Sequence, residues 1–139
     1  MYTPVSVRSS RLYDTVAIET AVNEASPHQL IVLLFEDLIR SLNAAKFATE
    51  NRDIPAKARA IRKSVRILEE GLKAVLDDQG GGQIASNLRG LYEYCIIRTT
   101  QANLKNDASL LAEVSSLVQT IYDGWRGIGP LPEVKNFRR

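Results

Sequence analysis

The chain is poor in the residues that build chemistry. Among its 139 residues there is one cysteine, Cys95, one histidine, His28, one tryptophan, Trp125, and one methionine, Met1. A single cysteine excludes an internal disulfide and fits a reducing compartment. A single histidine argues against a carboxylate-bridged di-metal bundle, which draws a Glu-x-x-His pair from each of two helices. The lone methionine likewise disfavours a haem bundle. Net charge is only +2, from 18 basic and 16 acidic residues, so no basic excess points to nucleic acid. The longest apolar run, Leu30–Phe35, falls far short of the ~20 residues a spanning helix needs. The opening MYTPVSVRSSRLYD has no apolar signal core. These absences lead us to expect a cytoplasmic protein with no membrane insertion, no nucleic-acid partner, no metal and no cofactor.

What is present is helical periodicity. Ser26 can accept an orphan backbone N–H as N-cap, Pro27 suits the first helical position, and Gln29 completes a capping box. Ile31, Phe35, Leu38, Leu42 and Ala45 then recur at spacings of four and three. After NRDIP, with Pro55 placed to open a helix, a second seam runs through Ala58, Ile61, Val65, Leu68, Leu72 and Val75. The glycines at 80–82 are expected to end that helix as a C-cap. A third helix is expected from about Gln83 to Lys105, with Ile84, Leu88, Leu91 and Cys95 on its seam, continuing through Thr99 and Ala102. NDAS (106–109) is a turn with a new cap, and a fourth seam follows through Leu111, Val114, Val118, Ile121, Trp125 and Ile128. Short connections make sequential helices antiparallel neighbours. The expectation is an all-α fold, an antiparallel up-down four-helix bundle over 26–128. Residues 1–25 would form a flexible N-terminal cap segment and 129–139 a mobile tail.

No constellation supports catalysis. The glycine run is not followed by Gly-Lys-Ser/Thr and no strand precedes it, so it is no phosphate loop. Cys95 sits on a seam and reads as a small core hydrophobe; His28, in a first helical turn, reads as exposed. The pairs Glu69–Glu70 and Asp77–Asp78 read as solvated faces. A non-enzymatic protein is expected.

The informative feature is apolar surface off the seams. Leu30, Val32, Leu33, Leu34 and Ile39 widen the first helix's arc. Ala60, Ser64, Ile67, Gly71 and Ala74 form a small, smooth row on the second, a surface on which a foreign helix could lie. Tyr92, Ile96, Thr99 and Asn103 form a second row on the third, flanked by Tyr94 and Ile97. A core-facing helix can carry so wide an arc. An amphipathic partner helix needs the same kind of trough. Periodicity leaves both readings open, and a helical adaptor for some other amphipathic helix is the alternative function.

Six stretches carry a resemblance: YDTVAIETA (13–21), ASPHQLIVLLFEDL (25–38), GLKAVLD (71–77), GGQIASNLRGLYEY (81–94), QANLKND (101–107) and the late Trp125. Over residues 11 to 128 the chain resembles the flagellar export chaperone FliS family. That resemblance implies a four-helix bundle that holds the disordered C-terminal segment of flagellin, prevents its premature polymerisation and delivers it to the type III export apparatus. It implies one chaperone per flagellin. It also implies that Tyr13, Val16 and Ile18 lie in an N-terminal element that can cover the groove and helps dock on the export-gate protein FlhA. Ser10 departs from the apolar residue the family often carries three before that tyrosine. Leu88, Leu91, Tyr92, Ala102 and Asn103 match the family's LY and AN motifs. The expected partner-binding set is therefore Tyr13, Val16, Ile18, Ala60, Ser64, Ile67, Gly71, Ala74, Tyr92, Ile96, Ala102 and Asn103.

Overall fold

The structure, a computed structural model, describes residues 26–128. Helix α1 spans Pro27–Glu50 and begins on the reciprocal cap written in its sequence. The Gln29 amide donates to Ser26 Oγ at 3.1 Å, and the Ser26 amide donates to Gln29 Oε1 at 3.0 Å. Asn51 closes the far end by donating its side-chain amide to the Phe47 carbonyl at 2.8 Å. The chain turns through Arg52, at φ 57°, and restarts on Asp53, whose carboxylate accepts from the Ala56 amide at 3.2 Å. Helix α2 spans Ile54–Arg66 and passes without a break into a π-helical segment, Ile67–Lys73.

That segment changes where the second helix stops. In a π-helix each amide reaches five residues back instead of four, so later residues rotate away from the α-helical count. Val75, on the expected seam, is exposed, and regular structure ends near Lys73. The expectation that the glycines at 80–82 cap this helix is therefore corrected. They lie inside α3, Asp78–Lys105, whose first turn is capped by Asp77 accepting from the amides of Gln79 and Gly80. Gly82, at φ 54° and ψ −128°, kinks the helix there, a conformation glycine adopts without steric cost. Asn106 ends α3 in the left-handed conformation, and Asp107 caps α4, Ala108–Ile128, by accepting from the Ser109 amide at 2.9 Å.

Helix α1 packs against α2 and α4; α3 packs against α4, α2 and the π segment. Each neighbour in sequence is a neighbour in space, and the last helix returns beside the first. This is the up-down four-helix bundle expected from the sequence, and no strand occurs among the described residues. Its core is Phe35, Leu38, Leu42 and Ala45 from α1, with Ile61, Leu68 and Leu72 from the second helix. Tyr92, Cys95 and Ala102 come from α3, and Leu111, Val114, Val118 and Tyr122 from α4. Each fully buried leucine contributes about 1.5–3 kcal/mol over an exposed one. The aromatic centre is Phe35, with its ring 6.5 Å from that of Tyr92 and 5.9 Å from that of Tyr122.

Candidate functional site

The smooth row on the second helix already has an occupant. Ser64 is fully buried and donates to Ser41 Oγ on α1 at 2.9 Å, while Ser41 donates to the Ala60 carbonyl at 2.9 Å. Ile67 is buried, and a Cβ added to Gly71 would meet Leu34 Cδ2 at 3.2 Å. Small residues here let α1 approach closely, so the helix lying on this row is the chain's own. The expectation of an exposed row is corrected for Ser64 and Ile67. Ala60 and Gly71 are half-buried beneath α1, and Ala74 alone is exposed.

Helix α3 buries Cys95, Thr99 and Ala102 of its expected seam but departs from it at positions 84 and 91. Tyr92 is buried beside Phe35 and takes the place expected for Leu91; Ala85 is buried where Ile84 was expected. An aromatic ring at 92 can fill the space around Phe35, which leaves Leu91 at the margin. Burial pushes the Tyr92 phenol up, so it stays protonated. Ala102 is fully buried and Ile96 is packed partly against the core. The Asn103 carbonyl accepts from Lys57 Nζ at 3.1 Å, which ties the end of α3 to the start of α2. An exposed site made of Tyr92 and Ala102 is thus corrected as well. Tyr13, Val16 and Ile18 lie outside the described residues.

Several apolar residues of α3 are open to the surface. Ile84 is 69% exposed, Ile97 56% and Leu104 77%, with Leu91 and Tyr94 also open. A Cβ added to Gly90, among them, would meet nothing within 4 Å. On the α4 side the stripe is edged by polar contacts. Tyr94 donates its hydroxyl to Glu113, and Arg98 donates to the same carboxylate through Nε at 3.1 Å and Nη2 at 2.8 Å. Those two donors hold the Glu113 carboxyl below its ordinary range. On the α2 side, Lys73 Nζ lies 3.4 Å from Glu93. An apolar stripe with a polar rim has the anatomy of a binding surface. Sequence reading noted Tyr94 and Ile97 only as flanking residues and assigned Ile84 and Leu91 to the core.

Reactive groups are held inert. The Cys95 thiol is fully buried, and burial first, then the Glu113 charge, pushes it up to about 11. His28 is buried, correcting the expectation of exposure. Its ring stacks on Trp125 with centroids 4.9 Å apart, and Trp125 Nε1 donates to the His28 carbonyl at 3.2 Å. Among the described residues no three His, Cys, Asp or Glu side chains group as a metal site. No described helix is long and apolar enough to cross a membrane.

A packed helical bundle with apolar side chains open along α3 is the class of protein this fold defines. Comparison with known proteins narrows the class. The profile of a family described as Flagellar protein FliS matches residues 9–132. The flagellar secretion chaperone FliS of Salmonella typhimurium is 44% identical over 130 residues, covering 94% of each chain. FliSB of Pseudomonas aeruginosa is 42% identical over 88% of this chain and 97% of its own. A solved bacterial flagellar chaperone superposes with a TM-score of 0.69 over 83% of this chain and 96% of its own; at 19% identity it speaks for the fold alone. The chain belongs to the FliS family, a family of flagellar secretion chaperones and not of enzymes.

Proposed function

We propose that this chaperone captures the C-terminal segment of flagellin in the cytoplasm, one chaperone per flagellin. It keeps that segment from polymerising prematurely and delivers it to the flagellar type III export apparatus. The observation that carries the reading is the set of open apolar side chains along α3, of which Tyr94, Ile97 and Leu104 fall within about 80° of one another. A segment that is disordered when free and helical in its assembled state can lay an amphipathic face on such side chains, with anchors at helical spacing. Ordering the partner on binding costs about 2–5 kcal/mol or more, which keeps the complex releasable. Delivery would run through the export-gate protein FlhA, with Tyr13, Val16 and Ile18 as the docking element implied by family resemblance. Co-purification with the C-terminal segment of flagellin tests capture. A stoichiometric complex is expected, and no complex at micromolar concentrations of both partners would contradict the reading. Ala60, Ser64, Ile67, Gly71, Tyr92 and Ala102 serve capture from beneath, by fixing how α1, α2 and α3 pack; Ala74, Ile96 and Asn103 reach the surface.

A further inference from the structure

Charge is distributed unevenly over the bundle. The thirteen residues of α2 include Lys57, Arg59, Arg62, Lys63 and Arg66 and no acidic residue, although the whole chain carries only +2. The rest of the chain is therefore net negative. Lys57 is buried and spent on Asn103 and Asn106, but the other four are exposed. At 3.6 residues per turn, Arg59, Arg62 and Arg66 fall within about 60° of one another, opposite buried Ser64. Arg59 and Arg62 have no ion pair among the described residues. Lys63 shares Asp37 with Arg40 of α1, at 3.1 and 3.6 Å, which extends the cationic surface onto that helix. Arg66 meets Glu70 at 3.8 Å, a largely exposed pair of little strength. Five cations thus face two carboxylates.

We propose that this face of α2 binds anionic lipid headgroups and holds the chaperone against the membrane across which its cargo leaves. Charge complementarity selects an anionic occupant, and the shape of the face narrows it. The cations lie on the side of the helix turned away from buried Ser64. Among the exposed residues of α2 there is no aromatic ring on which a nucleobase could stack. Phosphate oxygens spread in a plane suit it better, because each guanidinium fork can take two of them without a cavity. Clusters of four or more basic side chains on an amphipathic helix read as a surface for anionic lipid. Attachment through the arginines of α2 uses none of the open apolar residues of α3.

Sedimentation of the full chain with phosphatidylglycerol–phosphatidylcholine vesicles, against vesicles of phosphatidylcholine alone, tests this. Binding is expected only to the anionic vesicles, weakening as salt rises from about 0.05 to about 0.5 M, where the screening length falls well below 10 Å. R59E/R62E/R66E should lose at least about tenfold in vesicle affinity, whereas K46E/K105E/R126E, with the same change in net charge, should stay within about threefold. Circular dichroism confirms that each variant folds, and R59Q/R62Q/R66Q replaces the reversal if it does not. Cargo co-purification by the same variants reports separately on flagellin capture. Equal losses in both triple variants, or no binding of the native chain to anionic vesicles, would overturn the proposal. So would binding to polyadenylate RNA or to an acidic helical peptide with the vesicles ignored.

Discussion

The hydroxyl of Ser64 lies 2.9 Å from that of Ser41, and through this contact α2 seats itself on α1. Ser64 is fully buried, so its neighbours leave no room for a larger side chain. Ser64→Ala removes one hydrogen bond and leaves Ser41 still donating to the Ala60 carbonyl, at a cost of about 0.5–1.5 kcal/mol. Ser64→Leu forces the helices apart at about 1–3 kcal/mol, plus the loss of that bond. Urea unfolding of the two variants checks the order. A more stable Ser64→Leu would mean that the row is not a close helix contact.

At the other end of the same helix, Lys57 is buried with its ammonium on the Asn103 carbonyl and the Asn106 side chain. Lys57→Met keeps the aliphatic stem but leaves both acceptors without their donor. A loss of about 1–3 kcal/mol is expected. Amide exchange should rise first around residues 102–108, where α3 hands over to α4. Unchanged exchange there would contradict a clamping role.

His28 gives the fold a pH dependence. Burial lowers its pKa from 6.5, so the unfolded chain takes up the proton more readily than the folded one. Stability is therefore expected to fall as pH drops through about 6.5, since stability rises with pH wherever the unfolded state binds more protons. Glu113 and Asp107 have pKa values below their ordinary ones, so their contributions disappear only at more acid pH. His28→Phe keeps a ring for Trp125 to stack on and removes the titration. Thermal unfolding between about pH 7.5 and 5.5 should show the native curve falling relative to that variant, and parallel curves would exclude the effect.

Much of this fold is legible in the chain. Ser26, Pro27 and Gln29 specify the start of α1 through bonds between near neighbours, and the seam from Phe35 to Ala45 follows from spacing alone. What spacing does not carry is the identity of the facing helix. Ser64 reads as surface until Ser41 is found against it, and nothing in spacing pairs Lys57 with Asn106. Leu91 and Tyr92 are adjacent apolar residues about 100° apart on a helix, and the choice between them rests on Phe35. The open apolar residues of α3 escape spacing for that reason: burying Tyr92 against Phe35 leaves Leu91 at the margin. The early end of the second helix follows its π segment, which has no signature in periodicity.

If flagellin is captured as proposed, the open apolar residues of α3 meet it while Tyr92 stays in the core. Calorimetric titration of the flagellin C-terminal segment into Ile97→Asp tests it most directly, with thermal unfolding of the same sample as the companion reading. Ile97 is 56% exposed, so stability should change by no more than about 0.5 kcal/mol. Affinity should fall about 30-fold or more, as for a central anchor worth about 2 kcal/mol. Tyr92→Ala should instead cost about 3–5 kcal/mol of stability, as truncation of a buried aromatic does. Native-like affinity in a folded Ile97→Asp chain would contradict the account.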